Sequence, residues 1–327
     1  MTTPVPAGDP AADPVAVLGE CVADAFVRPA TGPVRTLAIG LDVLPGGGPA
    51  NTAVALARLG TPTRFLGRLS ADVFGRLFRD HLAGSGVDLS RAVAASEPST
   101  LAVADLDEEG RADYSFHAEH TADFGWTPQE LAAAAHGPVS CLHTGSLALV
   151  RPPGGQAVEE LLAEVRGRAT VSIDPNVRPL LVDPGAYRRA LPRWCAATDI
   201  LRLSDDDLAH LAPAGTSPEQ AADTFHADGA RLVVITLGAD GVFASLEGER
   251  LRASAPPVSV VDSVGAGDSF MAGFLHSLHR AGALGGRLDA LRGDQVTDAL
   301  AFGARVAAAV CAVRGANPPW RRELAGF

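Results

Sequence analysis

The chain has 327 residues, 47% hydrophobic and 20% charged, a composition typical of a globular protein with a sizeable buried core. Its net charge of −11 argues against nucleic acid or an anionic membrane as the main partner. All 27 basic residues are arginines, which excludes the lysine of a Walker A loop and the lysine of a Schiff base. Any phosphate group must therefore be held by backbone N–H groups, by arginine or by a metal ion.

The first third of the chain predicts a tail followed by strands of two kinds. Residues 1–14 lack both a basic start and an apolar core, which indicates a disordered tail rather than a signal peptide. Short strand-like runs within 22–44 and 99–118, the second pair around a turn at 107–110, predict a small β lid, because they lie outside a regular α/β pattern. The remaining predicted elements are a strand at 15–20, a helix at 52–59, a strand at 63–69 and a helix at 74–84.

From residue 129 onward, predicted helices and strands alternate. The pairs are helix 129–135 with strand 139–142, helix 156–166 with strand 170–174, helix 185–197 with strand 200–203, and helix 218–227 with strand 232–236. Such alternation is typical of a mostly parallel sheet with helices on both faces, in which ligands bind at the carboxyl ends of the strands. We therefore predict a single α/β domain over residues 15–320. The four cysteines are widely spaced without a CxxC pair, which predicts reduced thiols and a cytoplasmic location.

The stretch VDSVGAGDSFMAGF at 261–274 predicts a helix that begins at a glycine-rich turn. An apolar run at 258–261 before it predicts the end of a strand. A helix start of this kind leaves the N–H groups of Gly265, Ala266 and Gly267 without helical partners at the positive end of the helix dipole, which favours an anion. Asp268 lies beside these donors, where a carboxylate serves either as a helix cap or as a base, and the residues alone leave both open.

Two stretches resemble the signatures of the ribokinase-like (PfkB) carbohydrate kinases, and most closely those of bacterial fructokinases. DSVGAGD at 262–268 resembles the C-terminal signature, and GGGPANTAVALARLG at 46–60 resembles the N-terminal one. The resemblance extends over about 15–317. It implies a ribokinase-like fold and a kinase that uses ATP and Mg²⁺. It also implies that Asp268 is the catalytic base and that the N–H groups of residues 265–267 form an anion hole.

The same resemblance assigns substrate-binding residues. It places Asp24, Gly47, Gly48 and Asn51 around the sugar. Arg178, in the DPNVR string at 174–178, would clamp the transferred phosphoryl group, although a structural salt bridge accounts for this arginine nearly as well.

Nucleotide and metal residues also follow from the resemblance. The ATP-binding residues that it implies are Ser204, Thr236, Gly238, Gly241, Gly267 and Gly315. Asp207 would hold Mg²⁺ through water, and Asp262 would lie near a monovalent cation such as K⁺. Ser204 and Asp207 replace the Asn and Glu usual in the family, and successive carboxylates at 205–207 are also typical of a solvated helix N-terminus.

The stretch at 116–126 bears on the identity of the sugar. It contains Glu119 and no arginine, so it suits a neutral sugar better than a sugar acid, whose carboxylate needs a cation. The stretch also resembles the corresponding one of bacterial fructokinases, and this resemblance implies phosphorylation of fructose to fructose 6-phosphate, with Glu119 among the substrate-binding residues.

Other functions stay open at this stage. Within the family these are a 2-keto-3-deoxygluconate kinase, a ribokinase and a nucleoside kinase. Outside it there is a non-catalytic sugar-binding regulator. A dinucleotide-dependent oxidoreductase is disfavoured because no GxGxxG follows the first strand. The expected partners are the sugar and ATP alone, and an exposed lid edge leaves a homodimer open.

Overall fold

The computed structural model describes residues 13–28, 39–106 and 112–326. Most of the predicted tail, the predicted turn at 107–110 and part of the 22–44 segment lie outside the described residues. The strands, in chain order, are β1 (Val15–Leu18), β2 (Val22–Val27), β3 (Leu41–Gly46), β4 (Thr63–Leu66), β5 (Arg68–Ser70), β6 (Val93–Ala95), β7 (Thr100–Leu106), β8 (Ala112–His117), β9 (Cys141–Gly145), β10 (Thr170–Asp174), β11 (Ile200–Ser204), β12 (Leu232–Thr236), β13 (Val242–Leu246) and β14 (Glu249–Ala253). The helices are α1 (Gly48–Leu59), α2 (Val73–Gly84), α3 (Pro128–Ala134), α4 (Gly154–Val165), α5 (Pro184–Ala197), α6 (Asp205–Leu211), α7 (Pro218–Ala227), α8 (Ala266–Arg280) and α9 (Gly293–Cys311).

The main sheet has eight strands in the order β14-β13-β12-β11-β10-β9-β1-β4. Neighbouring strands are parallel from β4 to β12, and β13 and β14 complete the sheet as an antiparallel edge. The predicted α/β architecture is therefore confirmed. None of the helices in the described ranges is both long and apolar enough to cross a lipid bilayer.

Two hydrophobic layers cover the two faces of this sheet. Along β1, Ala16 and Leu18 pack into the layer that α3 to α7 cover, whereas Val15 and Val17 pack into the layer that α1, α2, α8 and α9 cover. This alternation follows from the two-residue period of a strand. Because both of its faces are buried, β1 (VAVL) is apolar throughout, and full burial of one such side chain contributes roughly 1.5–3 kcal/mol.

A second sheet has four strands in the order β3-β2-β7-β8. It is built from the two segments that the sequence assigns to a lid, and it joins the main sheet directly through the short link between β1 and β2. Its position next to the carboxyl end of β1 places β2 beside the expected ligand edge. That this sheet acts as a lid stays a prediction.

Two sequence-based assignments of strands were wrong. The run at 258–261 forms no strand, and Val260 and Val261 are 66% and 63% exposed. Pro256 and Pro257 precede this run and lack the N–H groups that a sheet requires, so the edge strand ends earlier, at Ala253. The predicted strand at 63–69 is two strands in different sheets, β4 and β5, separated at Gly67.

Candidate active site

Asp268 lies in the first turn of α8, beside the carboxyl ends of the parallel strands. Its carboxylate Oδ2 accepts a 2.9 Å hydrogen bond from Nδ2 of Asn51, which α1 presents from the other side of the cleft. Burial raises the pKa of Asp268 above its ordinary value, and the Asn51 bond and the Arg178 and Arg202 guanidinium groups oppose that rise. An oriented, half-buried carboxylate of this kind can accept a proton.

The turn before α8 presents backbone donors next to this carboxylate. Gly265 is the N-cap residue with φ 76°, a left-handed conformation that glycine adopts without strain. Within the described ranges, the N–H groups of Gly265 and Gly267 have no backbone acceptor, so they are available to an anion. Ala266 differs from the prediction, because its N–H donates to the Ser263 carbonyl oxygen at 3.2 Å.

The glycine turn before α1 brings the backbone close to the same carboxylate. A Cβ atom on Gly48 would lie 3.2 Å from Asp268 Oδ1 and 2.7 Å from Asn176 Nδ2. Gly47 has φ 102° and packs against the Glu20 carbonyl oxygen, where a Cβ atom would lie 2.5 Å away. Neither position has room for a side chain, so glycine lets the backbone of this turn lie against Glu20 and Asp268.

Asp24 reaches this cleft from β2 in the small sheet. Burial raises its pKa to about 6, Arg178 lowers it, and the Asp268 carboxylate raises it further. A Cβ atom on Gly46 would lie 2.0 Å from Asp24 Oδ2, so the carboxylate packs onto the glycine turn. The structure therefore brings together Asp24, Gly47, Gly48, Asn51, Arg178 and Asp268. Their roles stay predictions.

Three polar residues of this cleft were not predicted from the sequence as site residues: Asp174, Asn176 and Arg202. Asn176, with φ 43°, projects its amide toward Gly48. Arg202 is buried and donates to Asp174 Oδ2 at 2.7 Å, and the two form an ion pair. Two features of the sequence could have identified these residues. They are the arginine inside the apolar strand ILRLS and the polar DPN string after a buried strand.

Ser204 and Asp207 form a capping box at the start of α6. Ser204 Oγ accepts from the Asp207 N–H at 3.0 Å, and Asp207 Oδ2 accepts from the Ser204 N–H at 2.9 Å. Asp207 Oδ1 accepts from the Val177 N–H at 2.7 Å, which fixes the DPNVR loop to α6. Since Oδ1 has a second lone pair, Asp207 can still accept a hydrogen bond from a metal-bound water.

Three further residues predicted for the ATP site lie at the carboxyl end of β12 or in the turn that follows it. Thr236 ends β12, where its hydroxyl accepts from Arg202 Nη2 at 2.6 Å. Gly238 faces open space, whereas Gly241 packs against the Ala253 carbonyl oxygen, where a Cβ atom would lie 2.2 Å away. Glycine is therefore required at position 241 by its packing against the β13–β14 hairpin, and not in order to leave room for a ligand.

Asp262 connects two loops at this end of the sheet. Its Oδ1 accepts from the Val264 N–H at 3.0 Å, and its Oδ2 accepts from the Gly315 N–H at 2.9 Å. It therefore holds the turn before α8 against the turn after α9. A role for Asp262 near K⁺ stays a prediction.

Glu119 shares no hydrogen bond with the Asp24–Asp268 cluster in the part of the chain described. Its exposed carboxylate accepts from Arg151 Nη2 at 2.5 Å, and that bond lowers the pKa of Glu119. Arg151 lies outside the 116–126 stretch, so the absence of arginine within that stretch does not exclude a cation near Glu119. The residues of that stretch therefore do not distinguish a neutral sugar from a sugar acid.

A metal ion in this cleft would need ligands beyond those that the described part of the chain supplies. Within residues 13–28, 39–106 and 112–326, no group of three His, Cys, Asp or Glu residues is arranged to hold a metal ion by itself. A divalent cation at this edge would therefore take most of its ligands from phosphate oxygens and water, as Mg²⁺ does at phosphate sites. That Asp207 holds such a cation through water stays a prediction.

Comparison with known proteins agrees with this geometry. Residues 13–322 match the family model described as pfkB family carbohydrate kinase. The fructokinase of Rhizobium leguminosarum bv. trifolii is 37% identical over 234 residues, which cover 71% of this chain and 71% of that protein.

Two solved structures share the fold over nearly their whole length. The fructokinase of Xylella fastidiosa with bound ATP has a TM-score of 0.82 and 26% identity, covering 95% of this chain and 97% of that one. The fructokinase of Vibrio cholerae O395, solved with fructose, ADP and calcium, has a TM-score of 0.81 and 27% identity, covering 97% and 99%. The protein is therefore an enzyme that phosphorylates a sugar, and the chain belongs to the pfkB family of carbohydrate kinases.

Proposed function

We propose that this enzyme transfers the γ-phosphoryl group of ATP to the 6-hydroxyl of fructose. The observation that carries the proposal is the Asp268 carboxylate, oriented by Asn51 and placed in the turn whose Gly265 and Gly267 N–H groups are free to bind an anion. Relatives that carry the name fructokinase, one of them solved with fructose and ADP, support the choice of sugar.

In the proposed reaction, Asp268 takes the proton of the primary hydroxyl as that oxygen bonds to the γ-phosphorus. The bond from the γ-phosphorus to the β–γ bridging oxygen breaks, and ADP leaves with that oxygen. The N–H groups of Gly265 and Gly267 stabilise the charge on the transferred group, and removal of one such donor typically costs roughly 100- to 1,000-fold in rate.

The other residues of the cleft bind and orient the reactants. Asp24 and Asn51, with the Gly47–Gly48 backbone, hold the sugar hydroxyls, and Arg178 approaches the phosphoryl group from the sugar side. Ser204, Thr236, Gly238 and Gly315 line the ATP phosphates. Mg²⁺, held through water by Asp207, would neutralise phosphate charge when bound. Glu119 is proposed to contact the sugar only when the small sheet closes over the cleft.

We further propose a cytoplasmic enzyme, with the small-sheet edge as the contact of a homodimer.

The substrate assignment is tested by measuring kcat/KM with ATP and Mg²⁺ for fructose, tagatose, ribose, 2-keto-3-deoxygluconate and adenosine. We expect fructose to lead by at least about tenfold, which corresponds to about 1.4 kcal/mol of transition-state discrimination. A lead for 2-keto-3-deoxygluconate would instead assign Arg151 to the carboxylate of a sugar acid. Sugar binding without turnover would leave the regulator as the function.

A further inference from the structure

Arg202 is a charged residue in the middle of the buried main sheet. It lies on β11 between Leu201 and Leu203 and is only 5% exposed. Its Nη1 donates to Asp174 Oδ2 at 2.7 Å, and its Nη2 donates to the Thr236 hydroxyl at 2.6 Å. The two bonds reach the carboxyl ends of both neighbouring strands, so the guanidinium plane is fixed.

This guanidinium packs directly beneath the turn that starts α8. A Cβ atom on Gly267 would lie 2.9 Å from Arg202 Nη1 and 3.0 Å from Nη2. One turn further along α8, the Phe270 ring centroid lies 5.9 Å from Arg202 Cζ. Arg202 therefore supports the helix start that carries both Asp268 and the proposed anion-binding N–H groups.

The cleft contains more acidic than basic groups. The charged groups that act on the Asp268 carboxylate are Asp24 from β2, Asp174 from β10, Arg178 after β10 and Arg202 from β11, while α1 contributes the neutral Asn51. Arg178 and, after it, Arg202 lower the pKa of Asp268; Arg178 is exposed, whereas Arg202 is buried and fixed by its two hydrogen bonds. Burial alone would lower the pKa of Arg202, but the carboxylates of Asp174, Asp207 and Asp268 raise it, so it stays cationic.

The Arg202–Asp174 ion pair does not satisfy every polar atom of its two side chains in the described part of the chain. Arg202 Nε and Asp174 Oδ1 are buried without a hydrogen-bond partner in the described part of the chain. Buried ion pairs with such open positions are often no more stable than apolar side chains of the same size. A role for the charge at the helix start accounts for an arginine here better than stability does.

We propose that Arg202 is a positioning residue, whose fixed buried cation keeps Asp268 ionised and holds the Gly267 backbone in place for the phosphoryl group. This inference rests on the proposed base role of Asp268. It assigns to β11 the buried positive charge that a lysine supplies in other phosphate sites, in a chain that has none.

The test compares Arg202→Gln, which removes the charge but keeps hydrogen-bonding capacity, with Arg202→Lys, which keeps the charge. Arg68→Gln is the matched control, since Arg68 is 7% exposed and pairs with Glu97 and Glu130 outside this cleft. The first readout is the pKa of Asp268 from ¹³C-carboxyl NMR, with its signal assigned by loss in Asp268→Asn. The second is the pH profile of kcat/KM together with kcat and KM.

For Arg202→Gln we expect the pKa of Asp268 and the acidic limb of the profile to rise by about one unit or more. We expect kcat to fall at least about tenfold, with KM for either substrate changed less than about threefold. Arg202→Lys should restore the pKa to within about half a unit of the wild type. If Arg202→Gln does not fold, Arg202→Lys provides the test. The pKa of Asp268 should then stay as in the wild type, and kcat should be lower than in the wild type.

An Asp268 pKa that is the same in Arg202→Gln as in the wild type, with activity lost only as far as in Arg68→Gln, would overturn the inference. So would an Arg202→Lys variant in which the pKa rises. The NMR titration needs no substrate. A failure of the proposed fructose reaction would therefore appear as absent turnover with a normal response of Asp268 to Arg202.

Discussion

At the scale of single residues, the cleft depends on the absence of side chains at its glycines as much as on its polar groups. Asp268 is held by one side-chain bond from Asn51, and the glycine turn approaches it without a side chain between. A base must lie within hydrogen-bond reach of the proton it takes, so a small displacement of this carboxylate has a large effect on rate.

Gly48→Ala should lower kcat/KM by roughly 10- to 100-fold, because the new Cβ would press on Asp268 Oδ1 and Asn176 Nδ2. The melting temperature should change little, since the two atoms that the new Cβ would meet lie at the ends of side chains at the cleft. Gly286→Ala is the control, because nothing lies within 4 Å of its Cβ position. Equal activity of both variants and the wild type would show that Gly48 does not limit the position of Asp268.

At the scale of elements, α8 combines the proposed base and anion hole, and its packing decides where they lie. It crosses α9 at two glycines: a Cβ atom on Gly273 would lie 2.9 Å from Gly303 Cα and 2.9 Å from Val306 Cγ2. Protein interiors are packed to crystal density, so this crossing has no room for a methyl group.

Gly273→Ala should therefore destabilise the protein by about 1–3 kcal/mol through overpacking and should lower kcat by moving the start of α8. Gly84→Ala, in α2 with open space around it, should be neutral or slightly stabilising. Urea unfolding and steady-state kinetics measure both effects. An unchanged free energy of unfolding in Gly273→Ala would mean that α8 and α9 separate easily.

The sequence predicts these elements well where its signals are local. The strand at 170–174 and the helix at 218–227 have the predicted bounds, because short apolar runs and a Ser217 cap mark them directly. The strand predicted at 258–261 failed because valines indicate a strand only where neighbouring strands bury them. The Arg202–Asp174 and Arg151–Glu119 pairs were missed because each joins residues on separate elements.

At the scale of the whole molecule, burial of carboxyl groups near the cleft makes stability depend on pH. Glu20 is 1% exposed, its Oε2 has no partner in the described residues, and burial raises its pKa to about 7. Burial likewise raises the pKa of Asp24, Asp123 and Asp174 to about 6. The stability due to the protonated forms is fully present below the ordinary pKa values and is lost as pH rises through 6 to 7.

Glu20→Gln should therefore stabilise the protein at pH 8.5, by about 2 kcal/mol relative to its effect at pH 5.5. Asp24 and Asp174 titrate in both proteins, so their contribution cancels in the comparison, whereas the charge of Asp123 is part of what raises the pKa of Glu20. The measurement is the free energy of unfolding in urea at the two pH values. A difference that does not depend on pH would show that burial does not raise the pKa of Glu20 in the folded protein.

The most direct test of the account is turnover of ATP and fructose by the wild type and by Asp268→Asn, with the phosphorylated position identified by ³¹P NMR. We predict fructose 6-phosphate from the wild type and a rate reduced at least about 100-fold in the variant, with fructose and ATP still bound. Full turnover by Asp268→Asn, or a product phosphorylated elsewhere, would contradict the assignment of Asp268 as the base for the 6-hydroxyl.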